Sequence, residues 1–319
     1  MKDNIRNTTV ITEFILVGFS LSNETSFCLF VIIAFVYIVT ITSNVVIIVI
    51  VTLQRSLHKP MYFFIGGLSF LEIWYPTVTV PRLLGALFTH NKSISPVSCL
   101  AQYYFHFACG ATENFLLAIM ASDRYVAICK PLRYIVIMNA RTCMQLLVAS
   151  WTFSFIIIAI PCAQISSLVF CFNEIDHYYC DFAPLLSCSD ITAVENIFFA
   201  IACFVILGCF LPIIVSYIFI IRTIMTFSTA SGRSRAFSTC VSHLVVVFIF
   251  YSTLIFLFVR PNTKGFLHVN KIVSVFPSVV TPLLNPIIYT LRNQEVKVAA
   301  RKTLQKLYCF TLESGGIYI

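Results

Sequence analysis

The sequence predicts an all-α membrane protein, a bundle of seven membrane-spanning helices. Of its 319 residues, 59% are apolar and only 11% are charged, and the mean hydropathy is +0.92. Soluble domains are typically about 25% charged, so the composition excludes a soluble enzyme, a disordered chain and a nucleic-acid binder. A helix that crosses a bilayer needs about 20 mostly apolar residues, and seven stretches of the chain reach that length.

Five of these stretches contain no Asp, Glu, Lys or Arg, and they cover residues 27–53, 142–173, 196–221, 236–259 and 272–291. Two more, 60–81 and 93–122, each contain a single acidic residue, Glu72 and Glu113 respectively. The chain therefore divides into an outer amino-terminal segment over 1–26, a seven-helix domain over 27–291 and an inner tail over 292–319.

The distribution of Lys and Arg orients the bundle. With the amino terminus outside, most basic residues lie in the inner loops and the tail, as the positive-inside rule requires. No Lys or Arg occurs between Arg141 and Arg222, whereas five acidic residues do, so this loop is placed outside. The net charge of +8 is interpreted as an anchor to lipid at the inner membrane face, and not as a nucleic-acid surface.

The outer segments carry signals for processing and modification. The apolar run at 14–19 is too short for a cleavable signal peptide and follows Glu13, so the first span is expected to be an uncleaved anchor. Sequons mark Asn7, Asn23 and Asn91 as glycosylation candidates. Asn7 is the best placed of the three, because Asn23 sits almost at the membrane.

The outer side of the predicted bundle holds an even number of cysteines, Cys99, Cys171, Cys180 and Cys188. They suggest two disulfides in an oxidising compartment, and spacing alone does not choose among the three possible pairings. Cys309, beyond the last span, is a candidate for S-acylation.

Ionisable residues inside membrane spans are costly and indicate functional sites. Glu72, Glu113 and Asn285 are predicted to lie at comparable depth in the inner half of the bundle. Such a group would bind a cation, share a proton or form a neutral hydrogen-bonded network. The residues alone leave these alternatives open.

One face of the third span has a mixed character that suits a ligand. His106, Phe107, Gly110, Ala111 and Asn114 share this face at helical spacing, and the small Gly and Ala leave room beside the two rings. The face predicts a ligand pocket, or else a histidine whose ring is satisfied by a neighbouring side chain.

Two further pairs have both an ordinary and a functional interpretation. Asp123 and Arg124 lie at the inner end of the third span. They are interpreted either as an ordinary charge pair beside the membrane or as residues with a functional role. His177 and Cys180 have a spacing that would suit a metal, but a disulfide at Cys180 would remove its thiolate, and no metal site is expected. The sequence lacks catalytic and phosphate-binding motifs, and it lacks the internal repeat that transporters often show. Composition alone still permits a receptor, a transporter or a channel.

Several long motifs occur in order along the chain. They read TEFILVGFS at 12–20, LHKPMYFF at 57–64, LSFLE at 68–72, MASDRYVAICKPLRY at 120–134, RAFSTCVSHL at 235–244 and PLLNPIIYTLRNQEVK at 282–297. Over nearly its whole length the chain resembles the olfactory (odorant) receptors of the rhodopsin-like G-protein-coupled receptor superfamily. The long outer loop with three cysteines resembles the tetrapod-type, or class II, branch of that family.

The resemblance implies roles for particular residues. It pairs Cys99 with Cys180 and Cys171 with Cys188. At the inner side it assigns activation and G-protein coupling to Asp123, Arg124, Tyr125, Asn285, Pro286 and Tyr289. It also places a sodium pocket at Glu72 and Glu113, and a bound sodium ion is the one cofactor that it implies.

The same resemblance assigns the ligand pocket. It implies that the lining consists of His106, Phe107, Gly110, Ala111, Ile201, Val205, Tyr251, Leu254, Ile255, Phe258 and Ser278. This set is mostly apolar, with His106, Tyr251 and Ser278 as polar handles, and it predicts a small, mainly hydrophobic ligand. Two positions depart from the usual pattern of the family. Ser122 stands where a Tyr usually precedes the Asp of the DRY motif, and Ser252 stands where a Gly is usual in span 6.

The implied protein is a receptor and not an enzyme. We expect a multi-pass protein of the plasma membrane, in the cilia of olfactory neurons, with a short amphipathic helix after the seventh span. Its expected partners are a volatile ligand, the stimulatory olfactory G protein that raises cAMP, trafficking helpers and membrane lipid. The alternatives are the same fold sensing a metabolite outside the olfactory epithelium, a transporter or channel, and a receptor-like chain that does not signal. Ser122, in place of the usual Tyr, is the observation that suggests the last of these.

Overall fold

The structure is a computed structural model, and it describes residues 11–19, 21–181, 191–258, 267–292 and 295–303. Six long helices of this part of the chain are α1 (Asn23–Leu53), α2 (Pro60–Thr89), α3 (Pro96–Cys129), α4 (Ala140–Ser166), α5 (Thr192–Met225) and α6 (Ala230–Phe258). The seventh, α7, consists of three successive helical segments, Leu267–Val273, Phe276–Val280 and Thr281–Arg292. Residues 295–303 are also helical and are named α8.

Five of the described helices are long and apolar enough to cross a membrane: α1, α2, α4, α5 and the stretch Val269–Ile288 of α7. The apolar part of α6 is His243–Phe258, and α3 is 34 residues long but more polar. Several polar side chains of α3, such as Gln102 and Thr112, are buried inside the bundle. The lower hydropathy of α3 therefore reflects its central place among the other helices.

Local sequence explains where the helices begin. The side chains of Ser22, Ser95 and Asn139 accept hydrogen bonds from the backbone N–H groups three residues later, and they cap α1, α3 and α4. Pro60 and Pro96 occupy the first turns of α2 and α3, where a missing N–H costs no helical hydrogen bond.

Several helix boundaries differ from the predicted apolar stretches. α2 continues to Thr89 and α3 to Cys129, because helical hydrogen bonding continues past Arg82 and Asp123, the charged residues at which the apolar stretches stop. The predicted end of the fourth stretch at residue 173 is wrong, since α4 ends at Ser166. The residues that follow belong to the outer loop that leads to α5.

The middle segment of α7 is a five-residue π-helix over Phe276–Val280. Pro277 within it has no N–H to donate to the preceding turn, and a π-helical turn accommodates such a break. The Ser278 hydroxyl donates to the Ser274 carbonyl at 2.8 Å, so the irregular turn keeps this carbonyl paired.

α3 occupies the centre of the bundle and packs against α2, α4, α5 and α6, while α1 packs against α2 and α7. Large apolar side chains are exposed on the outward faces, among them Phe35, Phe204 and Phe248. Apolar exposure on this scale marks an interaction surface, and here it corresponds to the surface that faces lipid.

A small sheet at the outer end was not predicted. Strands β1 (Phe14–Leu16), β2 (Ser93–Ile94) and β3 (Glu174–Ile175) lie in the order β2-β1-β3, with β1 antiparallel to β2 and parallel to β3. Phe14 and Leu16 are buried against Cys99, Ile175 and Cys180. The amino-terminal segment therefore joins the loop before α3 to the loop after α4.

The structure contains the implied disulfide between Cys99 and Cys180, which ties the loop after α4 to the outer end of α3. Cys171 is also disulfide-bonded, but its implied partner Cys188 lies outside the described residues. Cys309 lies outside them as well.

The three sequons fall in different settings. Asn91 is exposed, and its side-chain oxygen accepts hydrogen bonds from the backbone and the hydroxyl of Ser93. Asn23 is the first residue of α1, and Asn7 lies outside the described residues. The sequons remain predictions.

At the inner end, α8 has one buried and one exposed side, as expected for the amphipathic helix predicted after the seventh span. Val296 and Ala299 are buried, whereas Val298 is exposed. Glu295 forms an ion pair with Lys59 at 2.6 Å, ahead of the start of α2.

Candidate functional site

A cavity of about 610 Å³ lies in the outer half of the bundle between α3, α5, α6 and α7. Eight of the eleven residues implied for the pocket line it: His106, Phe107, Gly110, Ala111, Ile201, Val205, Leu254 and Phe258. Among the described residues, none of those that line it is Asp, Glu, Lys or Arg.

Three residues that the resemblance assigned to the lining lie outside it. Tyr251 is buried one turn deeper and stacks on Phe210, with ring centroids 4.8 Å apart. Ile255 is 36% exposed, because the residue after Leu254 is turned about 100° around the helix. The Ser278 hydroxyl instead pairs with the Tyr178 hydroxyl at 2.9 Å. The described lining therefore omits these three residues, and their implied role in ligand binding stays a prediction.

The polar groups of the lining are consequently different from those expected. Besides His106, the lining contains the amide of Asn114 and the hydroxyl-bearing side chains of Tyr75, Tyr179 and Ser274. Asn114 belongs to the predicted face of α3, whereas Tyr75, Tyr179 and Ser274 were not predicted. The other unpredicted members are mainly apolar, namely Ile158, Phe198, Ala202, Ile206, Leu257 and Pro277. Helical spacing from Ile201 and Val205 could have indicated Phe198 and Ala202, since residues three or four apart share a face.

The roof of the cavity comes from the outer loop, which the sequence prediction missed. Tyr179 stacks on the His106 ring, with centroids 4.3 Å apart and an interplanar angle of 30°. Tyr75 of α2 approaches the same ring at 5.0 Å. One signal was available, since Tyr179 directly precedes Cys180, whose disulfide holds this part of the loop at the outer end of α3.

Contacts from α7 hold this loop in place. The Lys271 ammonium lies 2.5 Å from the Asp176 carboxylate and donates to the Gly18 carbonyl at 2.8 Å. The Ser274 hydroxyl pairs with Nε2 of His177 at 3.2 Å. Burial of His177, helped by the nearby His106 and Lys271, lowers its pKa to about 3. The His177 ring is therefore neutral at pH 7.

The predicted intramembrane group converges in the core of the bundle. Asn285 donates through Nδ2 to Oε1 of Glu72, and Glu113 interacts electrostatically with Glu72. All three side chains are buried. Within the described part of the chain, both carboxyl oxygens of Glu113, Oε2 of Glu72 and Oδ1 of Asn285 have no hydrogen-bond partner. This set of oxygen atoms fits a hard cation, which prefers such ligands.

At the inner end of α3, the implied switch residues have defined contacts. Tyr134 donates to Asp123 at 2.9 Å, and Nη2 of Arg124 is buried without a hydrogen-bond partner in the described region. Tyr217 and His243 pair at 2.7 Å, close enough to interact with the Arg124 charge. Neither residue was predicted as a site residue from the sequence, although His243 lies within the motif at 235–244.

The remaining switch residues are placed as follows. Tyr125 packs against Phe219 of α5, with ring centroids 6.0 Å apart, and Asn285 and Pro286 lie in the last segment of α7. Tyr289 belongs to the same segment, but its side chain lies outside the described part of the structure.

The two departures from the family pattern are each satisfied within their own helix. The Ser122 hydroxyl donates to the Ala118 carbonyl, and the Ser252 hydroxyl donates to the Ile249 carbonyl, both at 3.0 Å. Neither serine leaves its hydroxyl without a partner.

The alternative of a metal at His177 and Cys180 fails, because Cys180 is in a disulfide. No cluster of three or more His, Cys, Asp or Glu suited to a metal occurs among the described residues.

Comparison with known proteins gives a consistent result. The model of the olfactory receptor family matches residues 33–307. The chain belongs to the olfactory receptor family. It is 49% identical to human Olfactory receptor 6F1 over 303 residues, which cover 94% of this chain and 97% of that protein. It is 46% identical to human Olfactory receptor 11L1 over 304 residues, 94% of each protein. With Olfactory receptor 226 of the rat, identity is 45% over 301 residues, 92% of each.

Membership of the olfactory receptor family confirms the resemblance and the fold predicted from the sequence. The long helices form a seven-transmembrane bundle of a multi-pass membrane protein. Olfactory receptors are G-protein-coupled receptors and not enzymes, so the molecule senses a ligand without a covalent reaction.

Proposed function

We propose that this odorant receptor binds a small, neutral, mainly hydrophobic volatile in the 610 Å³ cavity and activates the stimulatory olfactory G protein, which raises cAMP. The observation that carries the proposal is the cavity itself, which is lined by apolar and aromatic side chains and a few polar groups. Pockets of this composition hold ligands by packing and orient them with few hydrogen bonds.

The chemistry of the lining favours an uncharged ligand. A carboxylate or ammonium group would lose its hydration without meeting an opposite charge, which is strongly unfavourable. Nδ1 of His106 is buried and has no hydrogen-bond partner among the described residues. Aromatic rings of Phe107, Phe198 and Phe258 contact one another at 5.1–6.1 Å. We expect the ligand to pack against these rings and to present one polar group to His106.

Activation is proposed to be a shift between two arrangements of the bundle. The ligand can move the equilibrium only by its difference in affinity for the two arrangements. In the active one, the inner end of α6 moves away from Arg124 and opens a cleft for the G protein. We further propose that the receptor reaches the ciliary plasma membrane of olfactory neurons with the help of trafficking proteins.

We also propose that Glu72, Glu113 and Asn285 hold a sodium ion in one of the two arrangements. The unpaired oxygen atoms of these side chains support this assignment. Glu72 and Glu113 would provide the negative charge, and Asn285 would orient the Glu72 carboxyl through its hydrogen bond. Loss of the ion would leave two carboxyls in close contact, which favours a shared proton.

A cAMP assay tests the proposal in cells that express the receptor, a trafficking helper and the stimulatory olfactory G protein. A panel of neutral volatiles is applied to the parent, to Arg124→Ala and to His106→Ala, and surface staining confirms that each variant reaches the membrane. We expect a volatile that raises cAMP in the parent, no response in Arg124→Ala and a weaker response in His106→Ala. A response that survives Arg124→Ala at full strength would contradict the coupling, and a charged ligand as the best agonist would contradict the pocket chemistry.

A further inference from the structure

A second cavity, of about 360 Å³, lies outside the odorant cavity at the outer end of α2. It is enclosed by the amino-terminal segment over 16–19, by residues 82–87 of α2, by Lys92 and by Tyr178 of the outer loop. Leu16, Leu83 and Leu87 give it an apolar wall.

Two basic side chains, Arg82 and Lys92, border this apolar wall, and neither forms an ion pair with a carboxylate of the described residues. Arg82 donates through Nη2 to the Ser93 carbonyl, and its Nε is buried with no hydrogen-bond partner within the described ranges. The Lys92 ammonium donates to the Val17 carbonyl at 2.8 Å, which uses one of its three donors.

Acidic groups do not neutralise this pair of cations in the described structure. No Asp or Glu is among the described residues that line the cavity. Asp176, on the neighbouring outer loop, is engaged by Lys271. Partly desolvated cations without a counter-charge are unfavourable, so an anion that entered the cavity would gain both charge pairing and apolar contact.

We propose that this cavity binds an amphipathic anion, with a compact negative head between Arg82 and Lys92 and an apolar chain against Leu16, Leu83 and Leu87. The site does not depend on the proposed odorant function, because it uses a different cavity and a different charge. It has a structural connection to the odorant cavity, since the Tyr178 hydroxyl accepts a hydrogen bond from Ser274 at 3.3 Å. Ser274 lines the odorant cavity.

An anionic head on an apolar chain can come from two sources, a free carboxylate in the aqueous phase or an anionic lipid of the outer leaflet. Two arms of one experiment distinguish them, both with the purified full-length receptor. In the first, octanoate is titrated calorimetrically into receptor in a neutral, lipid-free detergent, with octanol as the uncharged probe. In the second, retention of phosphatidylglycerol is measured by native mass spectrometry.

Four variants locate the binding. Lys92→Gln removes a charge, and Ala86→Phe fills the second cavity without changing its charge. Arg141→Gln removes an exposed cation at the start of α4, and Val205→Trp fills the odorant cavity. Unfolding temperatures confirm that each variant is folded. Lys92→Gln and Ala86→Phe change the site in different ways, so if one of them fails to fold, the other still tests the proposal.

We expect one octanoate or one phosphatidylglycerol per receptor, with octanol bound far more weakly. Affinity should fall about tenfold in Lys92→Gln, as expected for the loss of a charge-assisted hydrogen bond, and should be abolished in Ala86→Phe. Arg141→Gln and Val205→Trp should bind like the parent. Absence of both anions from the parent would overturn the proposal. So would binding that survives Lys92→Gln and Ala86→Phe, or binding that Val205→Trp removes.

Discussion

Tyr179 of the outer loop stacks on His106 of α3, with ring centroids 4.3 Å apart. The contact joins the roof of the odorant cavity to its wall, because both residues line that cavity. Phe107 approaches the His106 ring edge-on at 5.2 Å and Tyr75 at 5.0 Å. The histidine is therefore held by rings rather than by hydrogen bonds at Nδ1, and a ligand that reaches it must fit beneath Tyr179.

Removal of the roof should weaken agonist binding. In Tyr179→Ala, loss of the stacking contact and of the buried ring opens the cavity, and we expect agonist potency to fall about tenfold, since an aromatic pair contributes about 0.5–1.5 kcal/mol beyond its burial. Tyr179→Phe retains the ring and should keep most of the potency. Concentration–response curves for cAMP, normalised to surface expression, measure both variants. Equal losses in the two would instead assign the effect to the hydroxyl.

The lining of the cavity from α3 could be predicted from the sequence because an α-helix has a fixed periodicity. His106, Gly110 and Asn114 recur every four residues, so they share a face whatever the neighbouring helices do. For α6 the resemblance supplied positions without orientations, and it assigned Ile255 to the cavity although that side chain is 36% exposed. On α6, Leu254 lines the cavity, and Ile255, turned about 100° further around the helix, does not.

The roof and the outer sheet could not be predicted in the same way. Loop backbone has no period from which a side-chain direction follows. The position of Tyr179 beside Cys180 therefore indicated that it lies near α3, but did not indicate that its ring faces the cavity. β1 has three residues, too few for an alternating pattern to stand out. Its place between β2 and β3 depends on strand partners about 80 and 160 residues away along the chain. No local sequence signal indicates pairing with partners at such a distance.

A side chain at Gly110 should reduce the space for ligand. A Cβ at this position would lie 3.2 Å from the Tyr75 hydroxyl, so Gly110→Ala must shift Tyr75 or narrow the cavity. We expect a cost of about 1 kcal/mol in ligand binding, about a fivefold loss of potency in the cAMP assay. Gly208→Ala on α5 is the matched control, because a Cβ there would meet no other described residue beyond its own helix backbone within 4 Å. Equal potencies of the two variants would contradict the prediction, because they would show that the Tyr75 side chain moves aside without cost to ligand binding.

Loss of the Asp176 charge should destabilise the outer loop through Lys271. The Lys271 side chain is only 5% exposed, and the Asp176 side chain is 58% exposed. Asp176→Asn therefore leaves the buried Lys271 ammonium without an opposite charge. We expect a loss of about 1–3 kcal/mol, less than for a fully buried pair because Asp176 is partly hydrated. In a Lys271→Met background the same substitution should cost almost nothing. Thermal unfolding of the four proteins gives the coupling energy, and additive effects would contradict a direct interaction.

Acidification should weaken the packing of the outer loop through His177. Its pKa in the folded protein is about 3, against an ordinary value of 6.5, so below pH 6.5 the unfolded chain takes up a proton that the folded chain does not. The stabilisation is therefore complete above pH 6.5 and declines by up to about 1.4 kcal/mol per pH unit as the pH falls towards 3. In detergent, the unfolding temperature should drop between pH 7 and pH 5, and drop less in His177→Gln, which retains a side chain that can pair with Ser274. Other buried histidines affect both proteins alike, so identical pH slopes would mean that His177 is hydrated and titrates in the folded receptor.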